Sequence, residues 1–136
     1  MLWVVAQRLI VKHGFSHTLF PPAPLANGTI PEGGFYRPRH YDGRGRPLPL
    51  VPQHGNTLAI QLVINGMKLQ PCRPSFFDAR DAIIQADSVL TGGENTCEIW
   101  RGFASRGLGV DAKVVGRLPF GRRSDGNAAP QTCDEV

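Results

Sequence analysis

The chain has 136 residues, of which 41% are hydrophobic and 19% charged. That composition suits one folded domain with a modest core and excludes a disordered acidic or basic tail. The net charge of +4 comes from scattered arginines (Arg37, Arg39, Arg44 and Arg46, then Arg117, Arg122 and Arg123) without interleaved aromatic residues, so no nucleic-acid partner is expected.

Residues 2–13 read as a helix, with Leu2, Val5, Leu9 and Lys12 on one face and Gly14 as its stop. The segment is apolar on nearly every side, the pattern of a helix that sits inside something larger. No run reaches the roughly 18 apolar residues of a membrane span, so no membrane partner is expected. Met1–Arg8 also lacks the basic start of a signal peptide.

Residues 15–55 form a long Pro/Gly-rich loop. Eight prolines from Pro21 to Pro52 rule out a long helix. Asn27-Gly28 and Asp42-Gly43 mark turns, and short strands are expected around Phe35-Tyr36 and Leu48–Leu50. A loop this long points to function or insertion.

Residues 56–109 read as a three-helix subdomain. Asn56 or Thr57 caps a helix that carries Leu58, Leu62, Val63 and Met67 to about Leu69, with Gly66 permitting a close neighbour. Pro71 and Pro74 break it. Ser75 and Asp78 form a capping box for the next helix, whose buried stripe is Phe76, Ala79, Ile83, Ala86 and Leu90, and Gly92-Gly93 ends it. Asn95 or Thr96 opens a last helix bearing Ile99, Trp100, Phe103 and Ala104, which stops at Gly107. Residues 110–136 form an irregular tail with a short strand at Val114-Val115. The expected fold is mainly α, its helices antiparallel because the turns between them are short.

Few residues point to chemistry. His13-Gly14-Phe15-Ser16-His17 has the histidine spacing of a zinc helix, but Gly14 stands where the water-activating glutamate belongs and also ends the helix. No metal site or catalytic residue is expected on this chain. His40 and His54 stand alone in the loop and receive no role. No Gly-x-Ser-x-Gly elbow is present.

The cysteines number three, Cys72, Cys97 and Cys133, without a C-x-x-C pair. Cys72 lies just before one helix and Cys97 at the start of the next, and those starts lie at opposite ends if the helices are antiparallel, some 20 Å apart. A Cys72–Cys97 bridge therefore needs a steep crossing, because a disulfide needs Cα atoms within about 7 Å. Cys72–Cys133 is the alternative, and reduced buried thiols a third. Asn27-Gly28-Thr29 is an N-glycosylation sequon in the Pro-rich loop, meaningful if the chain is secreted.

Leu58–Val63, Met67-Lys68-Leu69-Gln70-Pro71-Cys72, Ala79–Ile83, Gln85–Asp87, Thr91–Asn95 and Phe103–Gly109 together resemble the C-terminal end of the fungalysins, secreted fungal zinc metalloendopeptidases. Met1–Gly14 looks like a helix further upstream in that family, and Cys133 looks like its terminal cysteine. The later helices are also similar, more distantly, to the helical C-terminal part of thermolysin. The resemblance implies secretion, synthesis as a zymogen, one catalytic zinc, and protein or peptide substrates. The family's zinc motif, glutamate ligand and transition-state histidine are expected before the position of Met1, so no such residue is carried onto this chain. A truncated or shortened family member, inactive alone and self-associating through helix 1–14, is the expectation. The alternatives are a stand-alone helical module that docks on a related full-length peptidase and, last, a basic nucleic-acid binder.

Overall fold

A computed structural model describes all residues except 32, 117–120 and 135–136. Arg117 of the basic tail therefore lies outside the described residues. The order is α1 (Leu2–His13), α2 (Gly55–Leu69), α3 (Phe76–Thr91), α4 (Thr96–Ala104), β1 (Lys113–Val115), β2 (Arg122–Ser124) and a 3-10 turn at Gln131–Cys133. The fold is mainly helical, as the periodicity predicts.

α1 packs on α2 and α4, and α3 also packs on α2 and α4, so the helices close a circuit. Leu9, Leu58, Leu62 and Ile99 are fully buried at its centre. The first helix thus shares one core with the three later ones, across the long loop. Of its predicted face, Val5 and Leu9 are buried, while Leu2 is 47% exposed. α1 stops at Gly14, whose φ of 79° suits glycine and whose N–H donates to Ile10 O.

The start of α2 departs from expectation. His54, in extended conformation, is the N-cap residue, and neither Asn56 nor Thr57 caps the helix. Asn56 is needed elsewhere. Its Oδ1 accepts the Ser16 N–H at 2.9 Å and its Nδ2 donates to Ser16 O at 2.9 Å. Ser16 is buried, and its backbone groups would otherwise be orphaned. Leu58 and Leu62 follow the predicted stripe, whereas Met67 is 58% exposed. Gly66 does admit a neighbour: a Cβ there would lie 2.9 Å from Ile83 Cγ1 of α3.

α3 begins with the predicted capping box of Ser75 and Asp78. Its stripe is rotated from the prediction. Phe76 is 60% exposed, and Arg80 is buried in its stead. The Arg80 guanidinium lies 4.5 Å over the Trp100 ring and 5.5 Å from that of Phe77. It donates to the carbonyls of Leu108 and Gly109, so its charge is both stacked and hydrogen-bonded. α4 ends at Ala104, and the turn beyond it brings Leu108 N–H back to Phe103 O.

In the loop, the strand expected around Phe35-Tyr36 shrinks to an isolated bridge of Tyr36 with Pro52, the one expected at Leu48–Leu50 does not form, and a second bridge joins Tyr41 to Pro47. Proline has no N–H to extend such a ladder. The strand expected at Val114-Val115 forms, pairing antiparallel with Arg122–Ser124.

Candidate functional site

Two features built by α1 stand out: a polar seam against α4 and an apolar groove against α2. The seam runs antiparallel. Val5 meets Gly102, Arg8 meets Glu98, and Lys12 and His13 reach Glu94 and Asn95.

At the C-terminal end of α1 the seam closes on a buried relay. Asp87 and Asn95 are both fully buried. Asp87 accepts from Asn95 N at 2.9 Å, Asn95 Nδ2 at 2.9 Å and Thr91 Oγ1 at 2.8 Å. With its amide nitrogen committed to Asp87, Asn95 presents Oδ1 to His13 Nε2 at 2.6 Å. An oxygen there can only accept, so Nε2 carries a proton. Beside it, Arg37 Nη1 pairs with Glu94 Oε2 at 2.6 Å. The Arg37 hydrogen bond holds the Glu94 carboxyl below its usual range, burial opposes this, and the charges of Arg37, His13 and Lys12 assist. The seam fastens the C-terminal end of α1 to the α3–α4 turn and brings the Pro-rich loop with it.

The groove is lined by Trp3 and Ile10 of α1, Phe15 beyond it, and Ile60, Val63 and Ile64 of α2, and encloses about 640 Å³. Trp3 is 72% exposed and Phe15 55%. A contiguous apolar face of this kind is the pattern of an interaction surface or a ligand groove.

The residues singled out from sequence fall as follows. His13 is taken up by Asn95, and His17 is exposed with its ring edge-on to Phe15 at 5.7 Å. Among the described residues, no three of His, Cys, Asp and Glu come together as a metal-holding group. With His13 hydrogen-bonded and Gly14 breaking the helix, the two histidines do not fit a zinc pair. His40 is exposed in the loop, and His54 Nδ1 at the start of α2 is buried without a hydrogen-bond partner among the described residues.

The cysteine pairings weighed from sequence are corrected. Cys97 bonds Cys133, with Cα atoms 5.3 Å apart, and Cys72 is free and exposed. Both Cys72–Cys97 and Cys72–Cys133 therefore fall. The tail returns along α4: Leu108 bridges Gly126, and Arg101 of α4 donates to the Cys133 carbonyl. Cys72 sits on the exposed turn between α2 and α3. Asn27 is exposed at a tight turn.

Sequence reasoning missed Asp87, Asn95, Glu94, Arg37 and Arg80 as partners. Asn95 reads locally as a helix cap, and neither Asp87 nor Arg80 carries a local sign of burial. The one local hint is polar residues on both sides of Gly92-Gly93, which any helix connection would show.

A family model described as fungalysin metallopeptidase (M36) matches residues 1–112. Among curated relatives, an extracellular metalloproteinase MEP of Neosartorya fischeri is 61% identical over 121 residues, 89% of this chain and 15% of the relative. Extracellular metalloproteinase 2 of Phaeosphaeria nodorum is 44% identical over 113 residues, 83% of this chain and 14% of the relative. Extracellular metalloproteinase 9 of Coccidioides posadasii is 54% identical over 83 residues, 61% of this chain and 12% of the relative. The chain thus spans about 15% of the length of such relatives.

Proposed function

The chain belongs to the fungalysin metallopeptidase family, and from that we propose that it forms the C-terminal helical part of a secreted zinc endopeptidase, made as a zymogen and acting on protein or peptide substrates outside the cell. The observation that carries this reading is the family match over residues 1–112, which takes in α1, the loop and α2–α4 together. The relatives named extracellular metalloproteinases support the reading, and none supports a stand-alone docking module.

Zinc and its activated water supply the nucleophile for amide hydrolysis in such an enzyme. The residues described here do not fit that metal, so no step of the reaction is assigned to them. Their part is architectural. The seam of His13, Asn95 and Asp87 clamps α1 onto α4, and α1 forms one wall of the apolar groove against α2. The remainder of the peptidase covers that groove. Without that cover, the same face drives self-association.

The test compares the complete reading frame containing this chain with the chain by itself. The complete protein carries His-Glu-x-x-His in frame and cleaves casein in a chelator-sensitive way, whereas the purified 136-residue chain does not. Chelator-sensitive cleavage by the chain alone would overturn the reading, as would a complete frame without the zinc motif.

A further inference from the structure

We propose that Asn27 is an acceptor for N-linked oligosaccharide, a reading that rests on the secretion proposed above. Asn27-Gly28-Thr29 supplies the acceptor amide and the hydroxyl two residues on, and the fold presents both. Residues 25–29 form a closed turn. Leu25 N–H donates to Thr29 O at 2.8 Å and Gly28 N–H to Leu25 O at 2.8 Å. Gly28 has φ 79°, a conformation that glycine adopts without strain.

Within this turn, Asn27 Oδ1 accepts the Thr29 N–H at 3.0 Å. The carbonyl oxygen of the amide is thereby held by the backbone. Neither Asn27 Nδ2 nor Thr29 Oγ1 is engaged by another group among the described residues, and Leu25 through Thr29 are all exposed.

Asn95-Thr96-Cys97 makes the contrast. It has the rarer arrangement with a thiol in place of the hydroxyl. Asn95 is fully buried, its Nδ2 donates to Asp87 and the Cys97 sulfur is bonded to Cys133. Once the chain is folded, that triplet offers neither a free amide nor a free thiol.

The co-reactant is a lipid-linked oligosaccharyl diphosphate. Asn27 Nδ2 attacks the anomeric carbon, and a C–N bond forms as the C–O bond to the diphosphate breaks. The bonding pair leaves with the lipid diphosphate, and the amide nitrogen gives up one proton. No oxidant or reductant is needed.

The test translates the whole chain behind a cleavable secretory leader in the presence of glycosylating microsomes. The leader delivers the chain to the lumen whatever the natural destination, so a missing glycan counts against Asn27 and not against secretion. The protease-protected chain should migrate as one slower band that an endoglycosidase collapses. Asn27→Gln and Thr29→Ala should lose the shift, and Thr29→Ser should keep it. A protease-protected chain with the Cys97–Cys133 bridge formed and no shift would overturn the proposal. So would a shift that persists in Asn27→Gln.

Discussion

Gly102 of α4 lies so close to Val5 of α1 that a methyl group at position 102 would come within 2.7 Å of Val5 Cγ2 and 3.0 Å of its Cα. Glycine inside a helix is worth about 1 kcal/mol less than alanine, so Gly102→Ala would stabilise α4 if the neighbour could yield. The Val5 Cα cannot rotate away, and α1 must shift. Overpacking of this kind costs about 1–3 kcal/mol, and a net loss of stability is expected. Val5→Ala removes the methyl groups that collide. Gly102→Ala should therefore cost less in a Val5→Ala background, read by urea melts of the four proteins. Equal costs in both backgrounds would show that the contact does not set the helix spacing.

The buried relay gives a second expectation. Asp87→Ala leaves two donors of Asn95 without an acceptor, each worth about 1–3 kcal/mol when buried and unsatisfied. His13→Ala removes a partner at the half-buried rim and should cost less. If Asp87→Ala melts within about 0.5 kcal/mol of the parent, the range of ordinary surface changes, the relay does not hold α1 in place.

That relay also marks where the sequence becomes silent. Elements governed by neighbours along the chain were legible. The Ser75–Asp78 capping box, the stop at Gly14 and the close approach at Gly66 each follow from local rules of backbone and cap chemistry. What depended on distant partners was not. Asn56 reads as a cap, yet it binds Ser16 forty positions earlier. Arg80 carries no local sign of burial, yet it stacks on Trp100. The union of α1 with the later helices has no local sign, because Gly55 and Gly102 disclose their role only once Leu9 and Val5 lie against them. The Cys97–Cys133 pairing was hidden for the same reason: the path of the tail decides it.

Acid should weaken the seam in a defined window. Arg37, by its hydrogen bond, lowers the Glu94 pKa from 4.5. A carboxylate depressed in the fold contributes stability that is fully present above its unfolded pKa and is lost as pH falls through the folded value. The contribution of Glu94 is therefore complete at neutral pH and declines below about pH 4.5. The Glu94 side chain is 38% exposed, so solvent screening holds the effect to a fraction of a kcal/mol. Asp42 and Asp78 are lowered as well, the first mainly by a backbone hydrogen bond at Arg46 and the second by the Ser75 hydroxyl. They supply a background common to parent and variant. Urea midpoints of Glu94→Gln should fall less than those of the parent between neutral pH and the acid side of this window. A steeper fall in the variant would reverse the assignment.

The disulfide closes a sequence separation of 36 residues, for which loop-closure entropy gives a stabilisation of about 3–4 kcal/mol. Cys133→Ser should lower the urea midpoint accordingly. In the native chain, a thiol-alkylating reagent should label Cys72 alone, because it is exposed and unpaired. Label on Cys97 or Cys133 in a peptide map, without prior reduction, would contradict this pairing.

The last expectation concerns the groove. Six large apolar residues of α1, Leu2, Trp3, Val4, Val5, Leu9 and Ile10, compete for the cover that three helices can give. The fold buries Val5 and Leu9 against α2 and α4 and leaves Leu2 and Trp3 exposed. Burial of Val5 and of Leu9 contributes roughly 1.5–3 kcal/mol each to holding α1 on the later helices. What is left open is concentrated on one side, with Trp3 at 72%, Phe15 at 55%, Ile60 at 45% and Ile64 at 42% exposure. These residues line one groove, so their exposed area is contiguous and two copies can bury it at once. The isolated chain should therefore elute from a sizing column at a volume that shifts with concentration. Ile60→Glu places a charge in the floor of the groove without touching the core, and should return the chain to a monomer while leaving the urea midpoint of the dilute protein within about 0.5 kcal/mol of the parent. A parent chain that is monomeric at every concentration and co-elutes with Ile60→Glu would show that this face needs no cover.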